Sequence, residues 1–485
     1  MIRAATIHIR ARRGFTLMTS LVLASVAAMI IVALSSWFSG VYKGAKYVVE
    51  REFAFQIAEA GLDYYRWHLA KWPNDFTDGT NAPGPYIHNF EDADGNVIGR
   101  FELAIATTTA SSIVTVTSKG VYTAGEFDAH RTLRARYAIP SLAKFAAVVH
   151  EDSRFGEGTI IHGPIHSNGG IRFDGISYNL VSSALTTYSD PDHSGAQEYA
   201  VHTHVSPVDP LPNATLPARQ DVFVAGRKIG EPAFSFSSLT TSLSALRSSA
   251  QSGIGAYYGP SGGVGYEIVL KNNDTYDLYR VTSMKNPPGN CPASTQAGWA
   301  SWTVNSRVLL GTYAFPTHQL IFLEDHVWVS GAIDTARLTI AAARFPDNAS
   351  NRRNIIVNSD ITYSGYDGEE VLGLVAQNSI LVGLDSEDDL RIDAALVAQN
   401  GTVGSMYYAG SGNPQSSCGG YTNRSRLTLY GMIASYERYG FAYTDDTGYQ
   451  IRDITYDADL LYAPPPMFPL ASSQYETISW EEITD

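Results

Sequence analysis

The chain has 485 residues, 44% of them hydrophobic, which is enough for a sizeable core in more than one domain. It holds 48 acidic residues against 34 basic ones, a net charge of −14 that argues against a nucleic-acid binder. Charged residues are only 17% and Tyr and Gly are abundant, as in an exported β-rich protein, while two cysteines, Cys291 and Cys418, exclude a disulfide scaffold and a four-cysteine zinc site.

Residues 1–14 carry Arg3, Arg10, Arg12 and Arg13 and no acid, and Phe15–Phe38 follows as 24 residues without a charge. That run is long enough to cross a bilayer as a helix and too long for an ordinary cleaved signal. The basic flank comes first, so the N-terminus is expected in the cytoplasm and the remainder exported. Residues 41–72 are rich in helix formers, with Phe55, Ala58, Leu62 and Tyr65 on one face, and Pro73 stops the pattern. One helix from about 16 to 72 would be roughly 85 Å long.

The next elements are strands. Val97–Ala106, Ser112–Ser118 and Arg131–Ile139 alternate with period two, which predicts a small antiparallel sheet over 84–140. Asp92, Asp94 and Asn96 have a calcium-loop look, but no Glu closes a twelve-residue loop, so a hairpin turn is expected there.

Beyond Pro140, short apolar runs recur with Asn, Ser and Gly. Ile165–Ile171 (IHSNGGI), Val327–Ile333, Ile355–Ile361, Leu374–Ile380 and Leu396–Thr402 resemble one another, and the pentapeptide LVAQN occurs twice, 22 residues apart. The predicted architecture for 141–475 is a β-helix in which Val329, Val357, Ala376 and Ala398 point inward; a β-sandwich is the alternative. Residues 176–320 and 404–425 read as insertions. The fold class is thus α+β: a long N-terminal helix, a small antiparallel sheet, then a mainly β domain, read as a right-handed β-helix with long insertions. Cys291 and Cys418 would tie the two insertions together if paired, and are otherwise buried thiols.

Candidate chemistry is sparse. His162 and His166 flank Pro164 in a strand-like context, which excludes a helical zinc motif. His202 and His204 share a strand face at metal-ligand spacing, with His193 or Asp192 as a third donor; exposed strand residues are the simpler reading. The cluster Asp385–Asp389 could hold calcium or be a solvated turn. No metal or cofactor is assigned, calcium being the one ion considered. Asp360, Asp367, Arg391 and Asp393 would be the stacked candidates of a polysaccharide lyase or hydrolase, the alternative function, but they form no recognisable catalytic motif.

The junction Arg12-Arg13-Gly14-Phe15-Thr16-Leu17, with the stretch Ala58-Glu59-Ala60-Gly61-Leu62, resembles type IV prepilins, and in particular the PilX-like minor pilins and the tip subunits of type II secretion pseudopili. The resemblance spans roughly residues 8–140. It implies a leader 1–14, cleavage after Gly14 by prepilin peptidase, methylation of Phe15, and a transmembrane and pilin-type helix 15–72. Major pilins usually carry Glu at the fifth mature position; here it is Thr19, which points away from a major-subunit role. The implied function is a non-enzymatic minor pilin-like or pseudopilin-like subunit that primes or caps a filament and displays its β domain for adhesion or ligand binding. The implied partners are other pilin-like subunits, the peptidase, the inner membrane before assembly, and a glycan or cell-surface ligand, with no nucleic acid. The implied location is a single-pass membrane protein that becomes periplasmic or extracellular in a filament. Tyr407, Tyr408 and Tyr421, on the second insertion, are the candidate ligand-binding loop.

Overall fold

The computed structural model describes residues 13–107, 113–126, 129–191, 195, 197–287, 301–407, 418–443, 447–471 and 474–483. Helix α1 (Arg13–Lys71) is one continuous 59-residue element, about 88 Å long at 1.5 Å per residue. Its apolar part is long and hydrophobic enough to cross a membrane, with a mean hydropathy of 2.5, and none of that stretch is buried. Gly14 and Phe15 lie in its first turn. Burial starts at Glu50 and continues through Ala54, Ile57, Ala58, Leu62, Tyr65 and Leu69. These positions form one stripe of the helix, as the apolar spacing requires.

The chain divides into two compact units. The first comprises Met1–Thr107, Val114–Tyr137 and Thr477–Asp485. In it, strands β1 (Tyr86–Glu91), β2 (Val97–Thr107), β3 (Ile113–Tyr122) and β4 (Ala129–Ala138) form a sheet in chain order, and the strand Glu476–Ile483 adds a fifth position beside β4. The buried side of α1 lies on this sheet at very short range. A Cβ on Gly120 would stand 2.1 Å from the Ala54 carbonyl oxygen, and one on Gly99 would stand 2.5 Å from Ile57 Cδ1. Gly61 faces the sheet in the same way, its own Cβ position lying 3.0 Å from the Phe101 ring. The sheet glycines Gly99 and Gly120, together with Ala58 and Gly61 of the AEAGL stretch, are therefore what lets helix and sheet backbones approach. Tyr137 Oη donates to the Leu62 carbonyl at 2.9 Å. At the β1–β2 turn, Asp92 Oδ1 accepts from the backbone N–H groups of Asp94 and Asn96 at 3.0 and 2.9 Å, so this acid organises a hairpin turn.

The second unit, chiefly Ala138–Glu476, is mostly β; most of its strand pairs are parallel, while Gly265–Lys271, Thr275–Met284 and Val304–Ala314 pair antiparallel. Three parallel columns can be followed by register. The first passes through Tyr257, Phe322, Ala341, Val375, Val397, Ala434, Val148, His166, Ser182 and Lys228. The second passes through Tyr266, Val327, Ile355, Ile380 and Val403. The third runs through Leu270, Gly331, Ile361, Ile392, Leu429 and Ile454. Val329, Val357, Ala376 and Ala398 all lie in the core that the columns enclose.

The first column is covered on both faces. Leu374, Ala376, Leu396 and Ala398 point into the enclosed core. The alternate residues Phe322, Ala341, Val375 and Val397 are covered instead by helix α2 (Ser238–Gln251), through Leu239, Leu243 and Leu246, and by Phe468. Double burial explains why the LVAQN strands read as unbroken apolar runs rather than alternating ones.

Both stretches expected to be insertions contribute strands to the columns. Residues 176–320 hold members of the columns: Val181–Ser183 and Arg227–Ile229 extend one end of the first column, and Ala256–Tyr258 occupies the other. These strands are short and polar and carry no visible repeat. Of the segment 404–425, residues 408–417 lie outside the described residues, while Val403–Ser405 and Asn423–Ser435 are column strands.

Candidate functional site

A cleft of about 1320 Å³ runs along the second column. Its wall takes residues from successive strands: Trp302, His326, Asn354, Asn378 and Leu381, Thr402 and Ser405, then Arg438–Tyr443 and Phe155. Parallel strands are spaced by about 4.8 Å, so five such steps give a groove roughly 24 Å long. The corner residues of the repeats supply the floor. Asn378 Nδ2 donates to Asn354 Oδ1 at 2.8 Å, which fixes both amides.

The cleft is basic although the chain is acidic. Arg154, Arg352, Arg353, Arg438 and Arg452 line it, against one carboxylate, Glu437, among the described residues. Arg352 pairs with Asp347 at 3.0 Å, and Arg353 lies 3.6 Å from Asp325. Arg452 donates to the carbonyls of Tyr449 and Gln450, and among the described residues it has no ion-pair partner. Trp302 Nε1 and Ser405 Oγ are buried on this wall without a hydrogen-bond partner among the described residues. Such groups cost free energy when desolvated and unpaired, and a polar ligand would satisfy them. His326, packed edge-on against Trp302, accepts from the Asn354 N–H through Nδ1 at 3.0 Å. Burial, reinforced by the Arg353 charge, pushes its pKa down to about 4, so it is neutral at physiological pH.

The predicted tyrosines fall partly at this site. Tyr407 packs against Tyr443, a cleft residue, at 4.7 Å between ring centroids. Tyr421 is exposed and lines a small adjoining recess that shares Met406 and Tyr443 with the cleft. Tyr408 lies outside the described residues. Cys418 is buried and disulfide-bonded, and Cys291 lies outside the described residues.

The stacked carboxylates of the enzyme alternative are structural in their bonding. Asp393 is fully buried, and its carboxylate takes the Arg391 guanidinium at 3.0 Å, the Tyr366 hydroxyl at 2.6 Å and the Tyr363 N–H at 3.1 Å. Asp360 accepts from the Arg391 N–H at 2.7 Å, and Asp367 accepts from the Glu369 N–H within its own turn. Asp385 pairs with Lys285 at 2.6 Å and Asp388 binds Ser425, so these acids already have partners.

The histidine pair is not an exposed strand edge. His202 is 1% exposed and His204 is half-buried, and the two gather Glu198 and Asp190 around them. His193 and Asp192, the third donors considered from the sequence, lie outside the described residues. His162 stacks on Tyr178, and His166 is buried with Nδ1 3.0 Å from Ser182 Oγ.

The arginines of the cleft carried no sequence signal, because they come from strands far apart in the chain. Comparison with protein-family models, curated proteins and solved structures gave no significant match.

Proposed function

We propose that this chain is a non-enzymatic minor pilin-like or pseudopilin-like subunit of a type IV filament or type II secretion-like system. The carrying observation is the Gly14–Phe15 junction entering a single helix whose apolar half is bare and whose second half lies on a small sheet through the AEAGL residues. In this reading the bare half crosses the inner membrane and then enters a filament core, and the sheet unit stands outside it. Thr19 Oγ donates back to the Thr16 carbonyl at 3.1 Å; a hydroxyl cannot neutralise a neighbour's terminal ammonium, which suits a capping or priming subunit. The test is N-terminal sequencing of protein from its native host. A methylated Phe15 terminus is expected; an intact Met1, or a cut near residue 40, overturns the reading.

The second unit is, in this proposal, a right-handed β-helix that displays a binding groove. The three columns and their enclosed core support a β-helix, and its handedness follows the strong preference of parallel crossover connections. The groove's length, arginines and aromatic rims suit an extended anionic polymer such as an acidic glycan. A hydrolase is disfavoured because paired carboxylates are missing from the cleft lining among the described residues, where Glu437 stands alone.

A further inference from the structure

We propose that Asp190, Glu198, His202 and His204 form a buried structural site for a first-row divalent metal ion, zinc being the best fit. One ligand atom from each residue lies within 4.8 Å of all the others. His202 Nε2 stands 2.6 Å from Glu198 Oε2 and 3.5 Å from Asp190 Oδ2, and His204 Nε2 stands 3.0 Å from Glu198 Oε2. Ligand atoms around a tetrahedral zinc, with bonds near 2.0–2.1 Å, are about 3.3 Å apart.

The His202 ring is the observation that separates this cluster from an ordinary ion-pair network. Its Nδ1 donates to the Tyr199 carbonyl at 3.1 Å, so in the neutral ring Nε2 carries the lone pair. That lone pair is buried, has no hydrogen bond of acceptable geometry among the described residues, and faces two carboxylates. Lone pair and anions at these distances repel unless a proton or a metal cation lies between them, and a divalent cation satisfies both carboxylates at once. A histidine whose Nδ1–H is held by a carbonyl is also the outer-shell arrangement that orients a metal ligand.

Arg172 Nη1 is 3.9 Å from Asp190 and is itself engaged by Asp174 at 2.7 Å. Asp190 and Glu198 are 1% and 5% exposed, so two carboxylates are taken out of water together. A divalent ion balances both charges. Two imidazoles with two carboxylates favour zinc over calcium or magnesium, which take oxygen donors. All four positions of a tetrahedron are protein atoms, so the site is closed and its role structural. It would fasten the hairpin of Thr187–Ser189 and Gln197–Tyr199 to the strand Val201–His202, which pairs with Ile171–Phe173.

The full chain, purified in detergent and stripped with a chelator, is reloaded with zinc or calcium. Elemental analysis should give one zinc per chain, and thermal unfolding should rise with zinc and not with calcium. The double variant H202Q/H204Q should lose the bound zinc and the thermal shift. Absence of zinc binding by the wild type, or undiminished binding and shift in the variant, overturns the site. If the variant fails to fold, the wild-type melts decide: no zinc-specific shift counts against it.

Discussion

Ala376 and Ala398 face each other across two adjacent parallel strands, each with no exposed surface, although 22 residues separate them in the chain. Both side chains enter the enclosed core of the second unit. The two copies of LVAQN are thus the same place in successive layers, and the space between them is closed to water. Ala376→Asp buries a carboxylate with no partner, at a cost of several kcal/mol. Circular dichroism and thermal unfolding of the full chain should show loss of the cooperative transition of the β unit. A variant that melts within a degree or two of wild type contradicts the assigned register.

The helix–sheet contact of the first unit depends on a missing side chain. Gly120→Ala places a methyl group 2.1 Å from the Ala54 carbonyl, where backbone rather than a flexible side chain must move. A cost of roughly 1–3 kcal/mol is expected from overpacking. Gly44→Ala is the control, since nothing lies within 4 Å of its Cβ position and it sits in α1, where alanine is the better helix former. Chemical denaturation should separate the two variants in that direction.

Asp457 gives the β unit a pH dependence. It caps a short 3₁₀ turn through the Asp459 N–H at 3.0 Å and accepts the Tyr430 hydroxyl at 3.2 Å. Burial pushes its pKa up to about 6, above the value near 4 of an unfolded chain. The charged form is therefore disfavoured by folding. The cost is absent below about pH 4, grows between 4 and 6, and is complete above 6, where it is on the order of 2–3 kcal/mol. Asp457→Asn keeps an acceptor oxygen and removes the charge. Its stability should exceed that of wild type at pH 8 and match it at pH 4 in parallel denaturation curves. Equal effects at both pH values would assign the change to packing.

The cleft reading makes a separable claim. Arg438 and Arg452 are exposed, so replacing both with Glu should leave the melting temperature nearly unchanged. Titration with an acidic polysaccharide at low salt should show affinity at least tenfold weaker and less dependent on ionic strength. If affinity is unaltered, the polymer does not use this groove.

Much of the first unit could be read from sequence because its signals are local. An apolar run of 24 residues and a periodic stripe ending at Pro73 suffice to place α1. The strand Glu476–Ile483 escaped such reading, since nothing nearby in the chain says that it pairs with β4. In the second unit the LVAQN repeats gave adjacent layers, and the short strands Ala147–Val149, Ile165–Ser167 and Val181–Ser183 stack on one another in chain order, but the junction of this set with Asn423–Ser435 has no local signal. The spacing of His202 and His204 was visible; the approach of Asp190 and Glu198 is made by a hairpin, whose register the sequence does not spell out. Cleft arginines at 154, 352 and 438 meet only after the columns form.

The order of the first column sets a timetable for folding. Ala147–Val149 finds its partner in Ile433–Ser435, nearly three hundred residues later, and β4 finds its partner in the last ten residues. The two units complete these pairings only once most of the chain is available, the first not until its last ten residues. Long-range pairing of this kind folds slowly and leaves strand edges bare while the chain waits. The chain therefore spends its synthesis as an aggregation-prone client, and a truncation that removes Glu476–Ile483 takes the outer partner of β4 from the first unit, while one that reaches Ile433 opens the second as well.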